Sequence, residues 1–453
     1  MSKNIIVIGG GPGGYTCAIR LSELGAKVTL IEKDSLGGTC LNRGCIPTKA
    51  MVKSAEVFNT VKNAESFGIS VAAPELNLEK IIDRKNNIVS DLNKGIEFLM
   101  RKNKIEHITG HAKLIDKNTV EISTTKEDIP TKLHADNIVI ATGSRPFIPP
   151  IPGIDSSQIL TSDSILDLTT LPQNLTIIGG GVIGMEFASI FNALGSKVTV
   201  IEMADSILGY IEPDIAKRAL PLFKRKGIDI HLKSAVKSIE RNIENFNISF
   251  DTPKESQQLT NQKILIATGR TSYTENLGLD ELGIKTQNNF ICIDNHCKTS
   301  IDTIYAIGDV TGGWMLAHTA SNMAYHVAEQ ILEHPCPTPL DSIVPSCIFT
   351  FPEIASAGLS ELEAKKNQVP VKTGKYMFSG NGKAKCIGET DGFVKVISRE
   401  DTSEIIGLHI MGPHASDLIQ EGVIAIQKGL TTTDLKHIIH PHPTLSEAIH
   451  EAL

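Results

Sequence analysis

Two cysteines with four residues between them are the first feature of this sequence that can do chemistry. Cys40 and Cys45 lie in the string Gly-Gly-Thr-Cys-Leu-Asn-Arg-Gly-Cys-Ile-Pro-Thr-Lys. Pro47 predicts a helix start with Cys45 just before it, where the helix dipole and the nearby Arg43 favour a thiolate. Four residues can bend enough to bring two sulfurs into bonding range. The string therefore predicts a redox-active thiol pair.

The spacing alone does not carry this prediction. Cys292 and Cys297 have the same spacing but lack flanking glycines and a following helix start. We interpret that second pair as structural. Eight cysteines in a reducing compartment are not expected to form a disulfide framework.

A general base for thiol chemistry is available near the end of the chain. His440 and His442 precede Glu447, and a histidine whose far nitrogen is held by a carboxylate is a fitting base near neutral pH. Thr444 and Glu447 also have the spacing of a capping box, which would employ Glu447 in starting the last helix. His440 competes with His442 for the role of base. The residues alone leave these alternatives open.

An internal repeat supplies the elements that must position these groups. At an offset of 170, residues 175–203 match residues 5–33, and each copy predicts a strand, a glycine-rich turn, a helix and a second strand. This is the order of a dinucleotide-binding βαβ unit, in which the helix N-terminus faces the pyrophosphate. The glycines of the two turns are Gly9, Gly11, Gly14, Gly179, Gly181 and Gly184.

Each repeat closes on an acidic residue. Glu32 and Glu202 both lie 23 residues after the first glycine of their copy. A carboxylate there accepts hydrogen bonds from a ribose diol and repels a 2'-phosphate. Glu202 therefore favours NAD over NADP.

A thiol pair next to one dinucleotide site, with a second such site in the same chain, suggests electrons passing from thiols to one cofactor and on to another. A nicotinamide does not readily take electrons from a dithiol directly, so a flavin is the expected relay.

The string from Gly37 to Lys49 resembles the redox-disulfide signature of the flavoprotein disulfide reductases, and its surroundings are most similar to the branch that oxidises dihydrolipoamide. The resemblance covers the whole chain and includes the His-Pro-Thr-x-Ser-Glu string, in which the second histidine is the base. It implies His442 and Glu447 as the base and its partner, with Cys40 and Cys45 as the redox pair. It also implies an FAD site and an NAD site. On the FAD side it adds Lys33, Lys49, Ala112, Thr142, Gly143, Ser144, Asp309, Met315, Leu316, Ala317 and His318 to the first-repeat residues. On the NAD side it adds Glu186, Val236, Gly269 and Arg270 to the second-repeat residues.

What the resemblance implies for the reaction is oxidation of dihydrolipoamide on a lipoyl domain of another protein, with electrons passing through the disulfide and FAD to NAD+. It implies a homodimer in which His442 of one chain works with the cysteines of the other. The acyltransferase core of a 2-oxo acid dehydrogenase or glycine cleavage complex is the expected partner. The alternatives are another NAD(P)H-dependent disulfide reductase, an NADH oxidase or diaphorase, and a docking subunit of such a complex.

The expected fold class is α/β, with two Rossmann-like dinucleotide-binding domains and a C-terminal α+β dimerisation domain. Proline-rich strings mark two of the seams. The expected domains are residues 1–145 for FAD, 146–270 for NAD, 271–340 as a central segment completing the FAD domain, and 341–453 for dimerisation.

Composition excludes several classes of function. The chain has 453 residues, and 44 Lys and Arg against 51 Asp and Glu give a net charge of -7. That balance gives no basic footprint for nucleic acid or anionic lipid, and no apolar run nears the ~18 residues that cross a bilayer. Residues 5–8 already form an apolar strand, so we expect no secretory segment and a cytoplasmic location. No metal site is expected.

Overall fold

The computed structural model describes residues 2–124, 129–155, 157–242, 245–335 and 342–453. The domain boundary expected between residues 340 and 341 lies outside these ranges. Among the described helices, none has the length and apolar character needed to cross a membrane.

The first repeat builds a parallel sheet. Strand β1 (Asn4–Ile8) pairs in parallel with β2 (Lys27–Glu32) and β7 (Asn137–Ile140). With β3 (Glu106–Thr109) and β19 (Ile304–Ala306), the five-stranded order is β19, β7, β1, β2, β3. The chain therefore returns to this sheet after completing the second unit. The elements of the first unit are β1 Asn4–Ile8, α1 Pro12–Glu23, β2 Lys27–Glu32, α2 Gly38–Arg43, α3 Cys45–Lys62, α4 Leu78–Lys102, β3 Glu106–Thr109, β4 His111–Leu114, β5 Thr119–Ser123, β6 Thr131–His134, β7 Asn137–Ile140 and β8 Ser144–Pro146.

The second repeat builds a similar but smaller parallel sheet, in the order β11, β10, β9, β15. An antiparallel sheet, β12 to β14, flanks it, as β4 to β6 flank the first. The elements of the second unit are β9 Asn174–Ile178, α5 Val182–Leu194, β10 Lys197–Ile201, α6 Pro213–Arg225, β11 Asp229–His231, β12 Ala235–Arg241, β13 Phe246–Asp251, β14 Ser256–Asn261, β15 Lys263–Ile266 and β16 Arg270–Ser272.

The turn between β1 and α1 requires glycine for two different reasons. Gly9 has φ +104°, and a side chain there would collide with the carbonyl oxygen of Ala141, which directly follows the neighbouring strand β7. A Cβ on Gly14 would overlap the carbonyl oxygen of Gly9. The second unit repeats both contacts at Gly179 and Gly184.

A short antiparallel ladder joins the two units. Strand β8, at the end of the first unit, pairs with β16, at the end of the second, with Ser144 opposite Ser272 and Pro146 opposite Arg270. The ladder therefore places the ends of both units side by side.

The segment after β16 returns the chain to the first unit and leads into the last one. Its elements are β17 Thr286–Gln287, β18 Phe290–Ile291, β19 and α7 Ala317–Ile331. Helix α7 packs against α1.

The C-terminal unit is an antiparallel sheet with helices, in the strand order β20, β21, β24, β23, β22. The predicted fold class, two dinucleotide-binding units and a C-terminal α+β unit, is confirmed. The elements are β20 Ser346–Ile348, β21 Glu353–Gly358, α8 Glu361–Lys366, β22 Val371–Met377, α9 Gly382–Ile387, β23 Phe393–Arg399, β24 Ile405–Gly412, α10 Ala415–Gln427, α11 Thr432–Lys436 and α12 Glu447–His450.

A buried lysine links the second unit to the C-terminal unit. The ammonium of Lys395 on β23 lies 2.7 Å from Glu212 and 3.0 Å from Asp214, both at the start of α6, and 2.6 Å from Glu361 on α8. Burial opposes the charge of Lys395, but hydrogen bonds to the three carboxylates outweigh it and raise the pKa of the ammonium. One buried ammonium therefore pairs with all three acids.

Candidate active site

The two cysteines lie on consecutive helices. Cys40 is in α2. The sequence predicted that Cys45 would lie just before a helix starting at Pro47, whereas Cys45 is itself the first residue of α3. The difference arises because the carbonyl of Gly44 already accepts the first helical hydrogen bond, from the N–H of Thr48. Cys45 therefore lies in the first turn of α3, at the positive end of its dipole.

The pKa values of the two thiols are shifted in opposite directions. A hydrogen bond from Cys40 and the positive charge of Lys49 lower the pKa of Cys45 to about 7, although burial acts against this. The same hydrogen bond, together with burial, raises the pKa of Cys40. Near neutral pH, Cys45 is the thiolate of the pair and Cys40 the thiol that donates to it.

Lys49 lies one helical turn after Cys45 and joins α3 to the second unit. Its ammonium lies 3.1 and 3.0 Å from the two carboxylate oxygens of the buried Glu186 on α5. The N–H of Phe349 donates to the same carboxylate at 2.9 Å, and the Phe349 ring lies under the ammonium at 4.4 Å from its centroid. Three units of the chain therefore meet beside the thiols.

Helix α2 is fixed by an asparagine pair. Nδ2 of Asn42 donates to the carbonyls of Leu36 and Gly38 at 3.0 and 2.9 Å. Asn93 on α4 donates to Oδ1 of Asn42 at 2.7 Å. Arg43, which we expected to aid the thiolate, forms an ion pair with Asp34. These contacts hold the turn that carries Cys40.

The N-terminus of α1 offers a cradle for a phosphate group. A Cβ on Gly11 would come no closer than 3.9 Å to another atom, so the space over the helix start is open. Beside it, the carboxylate of Glu32 accepts from the N–H groups of Gly10 and Asp34 at 2.6 and 2.9 Å. Burial raises the pKa of Glu32, against the effect of the Gly10 hydrogen bond. This combination of helix start and carboxylate fits the pyrophosphate and ribose of a dinucleotide.

The second unit repeats this arrangement. Nothing lies within 4 Å of a Cβ built on Gly181. Glu202 accepts from the N–H groups of Gly180 and Ala204 at 2.5 and 2.6 Å. The residues of both turns thus fit the groups that the sequence predicted for them.

Ser144 and Asp309, predicted for the FAD site, and Arg270, predicted for the NAD site, form one chain of hydrogen bonds. Oγ of Ser144 donates to Oδ2 of Asp309 at 2.5 Å. Arg270 donates to that same Oγ at 2.7 Å and to the carbonyl of Ser144 at 2.8 Å. The guanidinium of Arg270 therefore binds a residue of the first unit.

Tyr273 closes over the turn that contains Thr142 and Gly143. Its N–H donates to the carbonyl of Gly143 at 2.9 Å, and its carbonyl accepts from Oγ1 of Thr142 at 2.7 Å. The ammonium of Lys33 lies over its ring, 3.2 Å from the centroid. Tyr273 thus contacts three of the predicted residues, Lys33, Thr142 and Gly143.

The remaining predicted residues lie at the edges of these sites. Ala112 is in β4 and Val236 in β12, the antiparallel sheets beside the two units. Gly269 directly precedes β16 and its carbonyl accepts from the N–H of Phe147 at 3.0 Å. Met315 and Leu316 directly precede α7, Ala317 begins it, and Nε2 of the exposed His318 lies 2.8 Å from the carbonyl of Pro345.

His442 and Glu447 form a pair on the loop after α11. Nδ1 of His442 lies 2.8 Å from Oε1 of Glu447, and the histidine side chain is 79% exposed. Glu447 also accepts from the N–H of Thr444 at 2.8 Å, and these two hydrogen bonds keep its pKa below the usual range. Within the described residues, no hydrogen bond or ion pair joins this pair to Cys40 or Cys45.

The predicted capping box is only half formed. Oγ1 of Thr444 donates to the carbonyl of Pro441 at 2.7 Å instead of capping the helix, which begins at Glu447 itself. Of the two roles that the sequence left as alternatives, Glu447 therefore has the contact with the histidine and only the Thr444 N–H contact of the capping box. His440 lies elsewhere: its side chain is 8% exposed, with Nε2 2.9 Å from Glu421 and Nδ1 3.0 Å from the carbonyl of Ile438.

Three side chains that the sequence did not single out complete the site: Phe349, Tyr273 and Asn381. The first two carry no local signal, because their contacts come from distant parts of the chain. Asn381 precedes a short helix, so its capping role was open to prediction. Its Nδ2 also donates to the carbonyl of Thr444 at 2.9 Å, in the loop of His442, and that contact was not open to prediction.

Two family models match the chain. The description "pyridine nucleotide-disulphide oxidoreductase" matches residues 3–324, and the dimerisation domain of the same family matches residues 344–453. The chain is 42% identical to the dihydrolipoyl dehydrogenase of Bacillus subtilis, covering 99% of this chain and 97% of that protein. It is 43% identical to the dihydrolipoyl dehydrogenase of Chlamydia trachomatis, covering 98% and 94%.

Solved structures with a similar fold also match nearly the whole chain. LpdA from Mycobacterium tuberculosis superposes with a TM-score of 0.92 at 27% identity, covering 99% of this chain and 98% of that one. The HOCl-induced flavoprotein disulfide reductase RclA from Escherichia coli superposes with a TM-score of 0.88 at 28% identity, covering 99% of both. The chain belongs to the pyridine nucleotide-disulphide oxidoreductase family.

Proposed function

We propose that this protein is an NAD-dependent, FAD-containing oxidoreductase that oxidises dihydrolipoamide to lipoamide. The observation that carries the proposal is the thiol pair at the start of α3, in which Cys45 has a pKa of about 7 and Cys40 a raised one. Because the two pKa values differ in this way, we assign Cys40 to exchange with the substrate and the thiolate of Cys45 to pass electrons to the acceptor. Relatives that span nearly the whole chain are named dihydrolipoyl dehydrogenase, which supports the same substrate.

The cysteines exchange with the substrate in two balanced steps. In the oxidised protein Cys40 and Cys45 share a disulfide. A thiolate of the reduced lipoyl group attacks Sγ of Cys40, and Cys45 leaves as a thiolate that Lys49 stabilises. The second lipoyl thiol attacks the first lipoyl sulfur, and Cys40 leaves and takes up the proton of that thiol. This releases cyclic lipoamide and leaves Cys40 reduced, so the two electrons now reside on the cysteine pair.

His442 and Glu447 of a second copy supply the base. His442 would take the proton of the attacking lipoyl thiol on Nε2, because Glu447 occupies Nδ1. His440 is less suited, because both of its ring nitrogens have partners and its side chain is buried. The match to the dimerisation domain supports a homodimer, which allows the pair to reach the other chain's thiols.

Residues of the first unit would hold FAD. The cradle at Gly9, Gly11 and Gly14 would take its pyrophosphate, Glu32 its adenosine ribose, and Asp309 its ribitol. Lys33, Ala112, Met315, Leu316, Ala317 and His318 would line the same site, with Thr142, Gly143 and Ser144 at its turn and Lys49 near its reactive ring. Bound FAD supplies a two-electron carrier between the thiols and NAD+.

Residues of the second unit would hold NAD+. The cradle at Gly179, Gly181 and Gly184 and the carboxylate of Glu202 would take its pyrophosphate and ribose, and Glu186, Val236 and Gly269 would line the site. Arg270 has a different environment, since its guanidinium binds Ser144. We therefore place Arg270 with the FAD residues, where it acts through Ser144 on Asp309.

The division into residues 1–145, 146–270, 271–340 and 341–453 is part of this proposal. So are a lipoyl domain of another protein as substrate, the acyltransferase core of a 2-oxo acid dehydrogenase or glycine cleavage complex as partner, and the cytoplasm as location.

The proposal is tested by assaying NAD+ reduction with dihydrolipoamide in the wild type, Cys40→Ser and Cys45→Ser. NADH-driven reduction of an artificial electron acceptor is measured alongside. We expect both variants to lose dihydrolipoamide turnover and to keep acceptor reduction. Full dihydrolipoamide turnover in Cys45→Ser would contradict the proposal. An NADH oxidase or diaphorase would instead keep its main activity in both variants.

A further inference from the structure

Asn381 is a buried side chain with contacts in two directions. Its Oδ1 accepts from the N–H of Ala384 at 2.9 Å and so caps α9. Its Nδ2 donates to the carbonyl of Thr444 at 2.9 Å, in the loop that carries His442. We propose that Asn381 is a positioning residue for the His442–Glu447 pair. This inference rests on the proposed role of His442 as the base.

The contact reaches His442 through a short chain of hydrogen bonds. The carbonyl of Thr444 is held by Asn381, and the N–H of Thr444 donates to Oε2 of Glu447 at 2.8 Å. The other carboxylate oxygen of Glu447 lies 2.8 Å from Nδ1 of His442. Fixing Thr444 therefore fixes the carboxylate, and the carboxylate fixes the imidazole with Nε2 pointing away from it.

The pair needs such support because it lies at the surface. The side chain of His442 is 79% exposed, and a hydrogen-bonded pair at the surface contributes little to its own geometry. Asn381 is 3% exposed and lies between the fully buried Phe378 and Ala384. The amide therefore transmits the rigidity of the C-terminal core to the exposed pair.

Capping alone does not require an amide. An N-cap needs only an acceptor, and Asn, Asp and Ser serve about equally well. Asn77 shows the simple case, since its Oδ1 accepts from the N–H of Lys80 at 3.0 Å at the start of α4. At position 381 the second, donating half of the amide is in use as well; an Asp carboxylate has no such donor, and the hydroxyl of Ser lies on a shorter side chain.

The test compares Asn381→Asp and Asn381→Ser with the wild type in the FAD-loaded dimer. Both variants keep an acceptor for the Ala384 N–H, and neither donates to Thr444: the carboxylate has no proton to give, and the hydroxyl is too short. We expect kcat with dihydrolipoamide to fall about tenfold in both, with KM and NADH-driven acceptor reduction unchanged. Nitrogen-15 signals of His442 should change from one dominant tautomer to a mixture.

Asn77→Asp is the matched control, and we expect wild-type kinetics from it. Wild-type kcat and an unchanged His442 tautomer in both Asn381 variants would overturn the positioning role. A change confined to the His442 signals, with those of His440 and His450 as in the wild type, separates positioning from a general loss of structure. His442→Gln separates this inference from the proposed function, because retained turnover in that variant would refute the base itself. Loss of turnover in His442→Gln with wild-type behaviour of both Asn381 variants would refute the positioning role alone.

Discussion

The ammonium of Lys49 lies 3.0 Å from Oε2 of Glu186, and this ion pair joins the helix that begins at Cys45 to the first helix of the second dinucleotide unit. Lys49 lowers the pKa of Cys45, whereas Glu186 raises it. The acidity of the reactive thiol therefore depends on a residue from each unit.

Replacing Lys49 removes the positive charge that favours the Cys45 thiolate. We expect Lys49→Met to raise the pKa of the Cys45 thiol from about 7 by about 1. The rate of iodoacetamide alkylation of the reduced protein at pH 7, followed over a pH series, measures this. Lys53→Met, on the exposed part of the same helix, is the control. Identical alkylation profiles for the wild type and Lys49→Met would contradict the assignment.

Glu202 should determine which nicotinamide cofactor is used. Its carboxylate is fixed by the N–H groups of Gly180 and Ala204, which leaves lone pairs for a ribose diol. We expect Glu202→Gln to raise KM for NAD+ about tenfold, because a charged hydrogen bond is lost, and to improve the use of NADP+. Steady-state kinetics with both cofactors test this. An unchanged ratio of kcat/KM values would refute the role of Glu202.

Ser144 should control retention of the flavin. It links Arg270 to Asp309, so Ser144→Ala leaves the Asp309 carboxylate without its 2.5 Å partner. We expect faster loss of FAD in Ser144→Ala and in Arg270→Met, with KM for NAD+ changed by less than about twofold. The flavin released during dialysis is measured by fluorescence. A large rise in KM for NAD+ in Arg270→Met, without flavin loss, would return Arg270 to the NAD site.

Lys395 should stabilise the contact between the second unit and the C-terminal unit. Lys395→Met leaves three neighbouring carboxylates without their buried cation, which we expect to cost about 3 kcal/mol. The folded-state pKa lies above the ordinary 10.5, so this stabilisation is complete below about pH 10.5 and is lost as pH rises through the folded-state value. Urea denaturation of both proteins between pH 7 and 11 tests this. We expect a difference that stays constant up to about pH 10 and starts to shrink above it; no difference at pH 7, or a decline that is already clear below pH 10, would contradict it.

Local sequence patterns were sufficient to predict where the residues of the βαβ repeats lie, and those next to a helix start marked by glycine and proline. The glycine turns, Glu32 and Glu202 follow from the repeat, because each makes contacts within its own βαβ unit. Cys45 near a helix start follows from the glycine and proline around it, with the start predicted two residues too late.

Contacts between distant segments were beyond such patterns. Arg270 binds Ser144 and Phe349 binds Glu186 only because the β8–β16 ladder and the C-terminal unit bring them together. Thr444 has the spacing of a capping box, yet its hydroxyl donates to Pro441, a competing local acceptor. The second hydrogen bond of Asn381 likewise depends on how the last loop folds back on α9.

The most direct test of the central claim, that the thiol pair and the NAD site communicate through one flavin, is a visible spectrum during anaerobic titration of the FAD-loaded protein with dihydrolipoamide. We predict a long-wavelength absorption band from the Cys45 thiolate against the oxidised flavin, which disappears when NAD+ is added and is absent in Cys45→Ser. A spectrum unchanged by dihydrolipoamide, or the same band in Cys45→Ser, would contradict the account.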